Sequence, residues 1–495
     1  MKLILFIYIA LFYSIINANA QFRFSKIFSD NMVLQRNQPI KISGHADPGS
    51  IIYVIKGNQK QTTKTYPDAT WNVVFPAEKA NPHPQIIKAI QNKDTISIKN
   101  ILIGDLWLCI GQSNMEWPMF KEAHYSQEID FSNNKLLRWY NPTYAGKNTF
   151  NILFTDSIKS NLRTEKFYSG AWESSNENSI KLMSAVAYYF GKTITKNLNI
   201  PIGLINLSIG GAPLESFISK EALESSKKFT NKIQGNWLNN DALPVWIRER
   251  GYQNLGTKFA LLSNDDINTN HAFKPGFAFE SGIRPMIDLP ITGVLCYQGE
   301  SNAQEVDRVF EYVALTKLLI EDYRKKWHQP NLPFYFTQLS SIDTLKYKGQ
   351  LWPQFRNEQR KIVQLIPYTG MAVSSDSGFK NDVHPTNKKV VGERLALIAL
   401  AKTYFKNNSY TGPEPISAIF NKNKIIISFK HTDGLLQTAD ASLLHGFSLD
   451  GINEIKATIH KNDIIIDTNK KPDFIYYGWQ PYSNGNLINK SLLPA

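Results

Sequence analysis

Three short segments of this 495-residue chain carry side chains that could perform acyl transfer. Gly-Gln-Ser-Asn at residues 111–114 follows an apolar run, so its serine stands where a buried strand should end. Gly-Glu-Ser-Asn at residues 299–302 follows a second apolar run, and Asp-Val-His-Pro at residues 382–385 puts an imidazole beside a carboxylate. Acyl transfer needs a nucleophile, a base with an orienting group, and donors aimed at the developing oxyanion. Together the three segments supply these groups.

Ser113 is the predicted nucleophile. A serine hydroxyl is scarcely ionised near neutral pH and needs a neighbouring base. His384 is the predicted base, which takes the serine proton and returns it to the leaving alkoxide. Asp382 is the predicted orienting carboxylate, and its charge is expected to raise the pKa of His384. Asp376 competes for that role, and a Ser–His dyad is the remaining alternative.

The oxyanion hole is predicted to combine backbone and side-chain donors. We expect the N–H of Ser113, an N–H of Gly210 or Gly211, and the side-chain amide of Asn302 to contribute. Glycine permits a close approach of backbone to ligand, although two glycines also suit a plain tight turn. Asn302 could instead cap a following helix.

Polar residues next to the three segments are expected to support the site. Gln112, Gln298 and Glu300 are predicted to brace it by hydrogen bonds. Glu116 and Glu300 could form the carboxylate pair of a glycosidase, but that interpretation leaves the serine, asparagine and histidine segments without a function. Arg284 is a speculative contact for a substrate carboxylate, because arginine binds carboxylates in a bidentate way. A structural ion pair is the alternative for Arg284.

The predicted secondary structure around these residues differs between three parts of the chain. Residues 101–410 alternate between strand and helix patterns, which predicts a mostly parallel α/β sheet. The order of elements indicates a flavodoxin-like three-layer sandwich with its site outside the carboxyl ends of the strands. A helical insertion is predicted at about 212–290. Residues 21–100 indicate a β-sandwich-like domain, and residues 411–495 indicate a β-rich region.

The first twenty residues are predicted to be a secretory signal peptide. Lys2 precedes an apolar stretch, and Ala-Asn-Ala at residues 18–20 is a typical cleavage signal, so cleavage is expected after Ala20. A secreted or periplasmic location follows. An uncleaved anchor is disfavoured because the apolar run is short of the roughly 20 residues that a membrane span needs.

Composition excludes several other classes of protein. The net charge is +13, but the basic residues are scattered and no nucleic-acid-binding motif is present, so we expect no nucleic-acid partner. Cys109 and Cys296 both lie in predicted core strands, where two buried thiols are favoured over a disulfide. No Cys/His spacing indicates a zinc site. We expect neither a metal nor an organic cofactor.

Several ordered blocks resemble the sialate O-acetylesterase family, which belongs to the SGNH/GDSL hydrolase superfamily and acts on carbohydrates. The blocks that carry the resemblance are residues 28–36, 104–107, 111–116, 201–211, 297–303, 384–388 and 392–395. The resemblance implies the SGNH hydrolase fold and a serine esterase that removes O-acetyl groups from sugars, with sialic acid as the substrate. An acetylesterase acting on acetylated xylan or another polysaccharide is the nearest alternative. A non-catalytic carbohydrate-binding protein on the same scaffold is an alternative of another class. The sequence does not indicate an oligomeric state.

Overall fold

Strands with alternating burial form the first part of the described chain. The computed structural model describes residues 21–495, the side chain at position 260 excepted, so the predicted signal peptide lies outside the described residues. In Ile40–His45 the isoleucines Ile40 and Ile42 are buried while Lys41 between them is not, as expected for a half-buried strand. The strands of this part are β1 (Arg23–Phe24), β2 (Val33–Gln35), β3 (Ile40–His45), β4 (Ile51–Lys56), β5 (Gln59–Lys64), β6 (Thr70–Phe75), β7 (Asn81–Gln91) and β8 (Asp94–Gly111).

The long strand β8 joins the N-terminal strands to the central sheet. Its first half pairs antiparallel with β7, and its second half pairs in parallel with the strands on either side of it in the central sheet. The expected boundary at residue 100 falls inside this strand, and one hydrophobic core extends from Ile27 to Leu400. The domain limits therefore stay a prediction.

The central sheet is α/β, as the sequence predicts, and is parallel apart from β12. Its strand order is β12-β9-β13-β8-β14-β15-β16, with β12 antiparallel to β9. Strands β13 and β14 are buried at every position, which is typical of parallel strands packed on both faces. The strands from residue 137 to 372 are β9 (Leu137–Tyr140), β10 (Thr143–Tyr144), β11 (Tyr168–Ser169), β12 (Trp172–Ser174), β13 (Ile202–Asn206), β14 (Gly293–Tyr297), β15 (Phe334–Thr337) and β16 (Thr369–Ala372).

Helices alternate with the strands of the central sheet, as the sequence patterns predict. The first of the long ones begins at Ala185, because Ser184 caps it by accepting a hydrogen bond from the Ala187 N–H, and it ends at Asn199 in the left-handed conformation. Leu182, which fits the same periodicity, lies outside this helix and is exposed. The α-helices are α1 (Ser113–Glu116), α2 (Tyr125–Glu128), α3 (Asp156–Ser160), α4 (Glu177–Ile180), α5 (Ala185–Leu198), α6 (Lys220–Ser225), α7 (Val245–Leu255), α8 (Val306–Lys326), α9 (Trp352–Leu365) and α10 (Lys389–Lys402).

The segment between β13 and β14 contains α6, α7 and several shorter helical turns. The short turns are 3-10 helices at Leu214–Phe217, Thr230–Ile233, Trp237–Asn239, Thr257–Leu261, Ile267–Thr269 and Arg284–Met286, and a π-helix at Phe279–Ile283. This agrees with the helical character expected at about 212–290.

The C-terminal strands have a smaller core of their own. Ile425, Ile427, Ile464 and Ile466 are buried there, and β17, β18, β22 and β21 pair antiparallel in that order. The strands are β17 (Glu414–Asn421), β18 (Lys424–Lys430), β19 (Leu436–Thr438), β20 (Phe447–Ser448), β21 (Ala457–His460), β22 (Asp463–Asp467), β23 (Tyr476–Tyr477) and β24 (Leu487–Asn489).

The remaining observations concern the two cysteines and the lengths of the helices. Cys109 and Cys296 are buried free thiols, as expected, and burial raises the pKa of both. Within residues 21–495 no helix is both long enough and apolar enough to cross a membrane.

Candidate active site

A sharp turn at the end of β8 presents Ser113. Gly111 adopts a φ of +133°, and a Cβ atom built on it would lie 2.1 Å from the Tyr297 carbonyl oxygen, so only glycine fits here. The Gln112 N–H donates to the same carbonyl at 3.0 Å. Ser113 then begins the short helix α1. The strand therefore ends two residues before the serine, close to the point that the apolar run predicts.

The structure brings His384 to Ser113. The Nε2 atom of His384 lies 2.8 Å from the Ser113 Oγ, within hydrogen-bond distance. The indole ring of Trp117 stacks on the imidazole, with centroids 5.3 Å apart and planes 18° apart. This contact covers one face of the imidazole and limits its rotation, so the base is held ready for the serine proton.

Burial sets the protonation of His384. It lowers the pKa of the imidazole below the usual value, and the nearby ammonium of Lys388 lowers this pKa further. The Asp382 carboxylate opposes both effects without reversing them. Asp382 thus raises the pKa of His384, as expected, but the net pKa lies below the usual value, because desolvation of the imidazolium outweighs the charge of an exposed aspartate.

Of the two candidate carboxylates, Asp382 lies beside the histidine. Its Oδ1 is 3.4 Å from the His384 Nδ1 and also accepts the His384 backbone N–H at 2.8 Å. The carboxylate is 58% exposed, so the pair is solvated. Asp376 instead forms a bidentate pair with Arg394, with both distances 2.7 Å. The geometry thus favours Asp382 as the orienting group, and its function stays a prediction.

A buried polar network fixes the loop that carries His384. The Asn114 amide donates to the Glu300 carboxylate and to the Val383 carbonyl, the latter at 3.0 Å, while Lys388 donates to the Asn114 carbonyl. Burial lowers the pKa of Lys388 to about 7 and raises that of Glu300. The contact with Asn114 supports the expected bracing by Glu300. Sequence reasoning misses Lys388 and Asn114, although both lie within blocks of the family resemblance.

The predicted backbone donors differ in their availability. The Gly210 N–H donates to the Tyr144 hydroxyl at 3.2 Å, so this donor is already used. The Gly211 N–H and the Ser113 N–H have no hydrogen-bond acceptor among residues 21–495. Gly211 has a φ of +80°, and its carbonyl accepts the Ser301 hydroxyl at 2.8 Å, which fixes the peptide. Ser113 and Gly211 are therefore the backbone donors that the geometry favours.

Asn302 belongs to a buried hydrogen-bond network. Its side-chain oxygen accepts the Leu214 N–H at 3.1 Å and the Gln298 amide at 2.7 Å, and its nitrogen donates to Glu215 at 3.0 Å. The residue is fully buried. Glu215 accepts one of the two N–H groups of this amide, so the expected contribution of Asn302 to the oxyanion hole stays a prediction.

The two glutamines connect the segments around the serine. The Gln112 Oε1 accepts the Gly299 and Ser301 N–H groups at 3.4 and 3.3 Å and the Gln298 amide at 3.3 Å. The Tyr312 hydroxyl donates to the Gln298 Oε1 at 2.6 Å. These contacts support the expected bracing by Gln112 and Gln298.

Arg284 and Glu116 have structural partners. Arg284 pairs with Glu280 and, through its Nη2 atom, with both carboxylate oxygens of Glu221 at 2.6 Å. The ion-pair alternative therefore describes Arg284, and a substrate contact is not supported. Glu116 pairs with Lys147 at 3.0 Å and is thus not a free acid for a glycosidase.

No group of three or more His, Cys, Asp or Glu side chains within the described chain is arranged to hold a metal ion. The site is built from a serine, a histidine, a carboxylate and backbone donors. These groups can transfer an acyl group by themselves.

Comparisons with known proteins agree with this chemistry. Residues 280–401 match the family described as carbohydrate esterase, sialic acid-specific acetylesterase. The chain is 27% identical over 431 residues to the sialate O-acetylesterase of Homo sapiens, covering 81% of this chain and 74% of that protein. The corresponding figures for the Mus musculus sialate O-acetylesterase are 27% over 433 residues, 81% and 77%.

A solved structure extends the likeness to nearly the whole chain. It is a carbohydrate acetylesterase from Xanthomonas citri, with a TM-score of 0.77 and 26% identity, and the match covers 96% of this chain and 98% of that one. The resemblance that the sequence blocks indicate is thereby confirmed: this chain is a relative of the sialate O-acetylesterases among the carbohydrate esterases.

Proposed function

We propose that this chain is a serine esterase that hydrolyses O-acetyl esters on sugars, with an O-acetylated sialic acid as its substrate. The class of carboxylic ester hydrolase follows from its relatives. The observation that carries the catalytic mechanism is the 2.8 Å contact between the Ser113 Oγ and the His384 Nε2. A hydroxyl and an unprotonated imidazole in this contact form an activated nucleophile.

The mechanism follows from the placement of these groups. His384 takes the Ser113 proton as the Oγ attacks the acetyl carbonyl carbon. The Ser113 and Gly211 N–H groups donate to the oxyanion. The imidazolium then protonates the departing sugar oxygen. The sugar is released, and Ser113 carries the acetyl group as an ester. Water activated by His384 hydrolyses this ester and releases acetate. Asp382 orients the imidazole and stabilises its charged form.

The wider architecture that we propose is the three-layer SGNH hydrolase fold, flanked by an N-terminal β-sandwich-like domain and a C-terminal β-rich region. The buried parallel strands and the separate C-terminal core support this description. We further propose that the mature chain begins at Gln21 and acts outside the cytoplasm. Mass spectrometry of the secreted protein tests this start.

A second candidate is an acetylesterase for a neutral polysaccharide such as acetylated xylan. The Xanthomonas citri relative is named as a carbohydrate acetylesterase. That name specifies no sugar, so a neutral polysaccharide stays a candidate substrate. Acetate release from O-acetylated sialic acid and from acetylated xylan, measured side by side, separates the two. Faster turnover of the xylan would replace the first candidate.

Ser113→Ala tests the proposal at its centre. We expect this variant to lose turnover of p-nitrophenyl acetate and of acetylated sugars while its thermal midpoint stays close to that of the parent. Activity at the parent level would remove Ser113 as the nucleophile. Absence of turnover in the parent protein itself would favour the non-catalytic sugar-binding alternative.

A further inference from the structure

Arg250 is a partly buried arginine without an acidic partner. It lies on α7, in the segment between β13 and β14. Its Nη1 atom is buried and contacts no hydrogen-bond acceptor within residues 21–495. Burial lowers the pKa of Arg250, and no nearby carboxylate offsets this effect. A desolvated guanidinium normally finds an anion or several carbonyl groups.

Other arginines of the chain follow that rule. Arg284 pairs with Glu221 and Glu280, Arg394 pairs with Asp376, and the buried Arg356 donates to backbone carbonyls within residues 478–481. Among the arginines of the described chain that are not exposed, Arg250 is the one with neither a hydrogen bond nor an ion pair. Its lack of a partner therefore distinguishes it.

Two aromatic rings connect Arg250 with the turn after β13. The guanidinium carbon lies 5.8 Å from the ring centre of Phe150 and 5.9 Å from that of Trp246. The Phe150 ring comes within 3.9 Å of a Cβ built on Gly210, and the Trp246 ring within 2.8 Å of a Cβ built on Gly211. Arg250 and the two glycines, Gly210 and Gly211, therefore share the same two aromatic neighbours.

The chemistry of this surface fits a sugar that carries a negative charge. Phe150 is 53% exposed, so its ring is available to a ligand. The indole Nε1 of Trp246, one helical turn before Arg250, is also buried without an acceptor within residues 21–495. Aromatic faces suit a sugar ring, and a planar guanidinium suits a carboxylate, which it binds through two parallel hydrogen bonds.

We propose that Arg250 binds the carboxylate of an acidic acetylated sugar whose acetyl group lies at Ser113. This assignment rests on the proposed sugar esterase function and adds the group that selects an acidic sugar over a neutral one. It also replaces Arg284, whose charge is already neutralised by Glu221 and Glu280.

Arg250→Met tests the assignment, because methionine keeps an unbranched apolar side chain to pack on Phe150 and Trp246 while removing the charge. The substrates are an O-acetylated N-acetylneuraminic acid and its C1 carboxamide. We expect kcat/KM for the acid to fall by about 10- to 100-fold, the range for a hydrogen-bonded charge. The carboxamide and p-nitrophenyl acetate should be turned over as by the parent. Arg284→Met is the matched control and should leave both sugar substrates unaffected.

An equal loss on the acid and the carboxamide would assign Arg250 to packing and overturn the proposal, as would no loss on either. Inhibition of p-nitrophenyl acetate hydrolysis by free N-acetylneuraminic acid is the second measurement. It should weaken in Arg250→Met, and equal inhibition of both proteins, or none, would overturn the proposal. If the parent hydrolyses p-nitrophenyl acetate but no acetylated sugar, the proposed function fails, and this inhibition still decides the assignment of Arg250.

Discussion

The pH dependence of the esterase reports the charges around His384. His384 must be unprotonated to accept the Ser113 proton, so kcat/KM falls as the pH drops through the pKa of the imidazole. Because burial and Lys388 lower this pKa, we expect the acid limb of the parent to lie below the usual histidine value of about 6.5. Asp382 is the group that opposes this shift.

Replacing Asp382 by asparagine should move the acid limb to still lower pH. At the observed 3.4 Å between the His384 Nδ1 and the Asp382 Oδ1, Coulomb's law in bulk water gives about 1.2 kcal/mol. That energy corresponds to about 0.9 pH unit. The carboxylate is 58% exposed, so the water value is the relevant one, and salt reduces it further. We therefore expect a downward shift of up to about one unit at low ionic strength, together with a lower plateau.

The assay is kcat/KM for p-nitrophenyl acetate against pH, with the product read at its isosbestic wavelength, at low and at high salt. Asp376→Asn is the matched control. Its carboxylate pairs with Arg394 and not with His384, so this variant should leave the acid limb in place. If the limb of Asp382→Asn stays in place or moves upwards, Asp382 is not coupled to the base and a Ser–His dyad replaces the triad. A shift in Asp376→Asn alone would transfer the orienting function to Asp376.

Three further variants test the surroundings of the site. Lys388→Met should move the acid limb upwards, because below pH 7 the ammonium is charged and lowers the pKa of His384; an unmoved limb would contradict this. Gly111→Ala should lower the urea midpoint far more than Gly57→Ala, since both have positive φ but only Gly111 faces a carbonyl at 2.1 Å; equal effects would contradict the steric argument. Asn302→Ala should lower the free energy of unfolding by about 1–3 kcal/mol, because the buried Glu215 loses a donor. A loss of about 10²–10³ in kcat without destabilisation would instead identify Asn302 as an oxyanion donor.

The sequence reveals those parts of the site that depend on local order. A buried strand followed by Gly-Gln-Ser-Asn predicts Ser113 just after a strand, and Ser113 lies two residues after the end of β8. Apolar runs also identify β14 and the helices α8 and α10. These predictions succeed because strand and helix periodicity are set by neighbours in the chain.

The direction of a polar side chain depends on distant partners, and there sequence reasoning fails. Asn302 turns towards Glu215 and Leu214, 87 and 88 positions earlier in the chain. Arg284 reaches Glu221 across 63 positions. Nothing in the residues next to Asn302 or Arg284 specifies these partners, so a motif identifies the residue type and leaves its contacts open.

The buried contact of Lys388 with Asn114 explains how segments so far apart form one site. Asn114 belongs to the segment of the nucleophile, Glu300 to the segment after β14, and Lys388 to the end of the His384 loop, and one amide contacts the other two. A buried polar network of this kind is stable only when its members are all in place, because an unpaired member is costly to bury. The hydrogen bonds of Asn114 therefore hold the loop of His384 next to the segment of the serine. The carboxylate of Asp382 is exposed and 3.4 Å from the imidazole, so it need only refine the orientation of the ring. Because Lys388 holds the loop and Asp382 only refines the orientation of the ring, we expect a smaller loss of turnover for Asp382→Asn than for Lys388→Met.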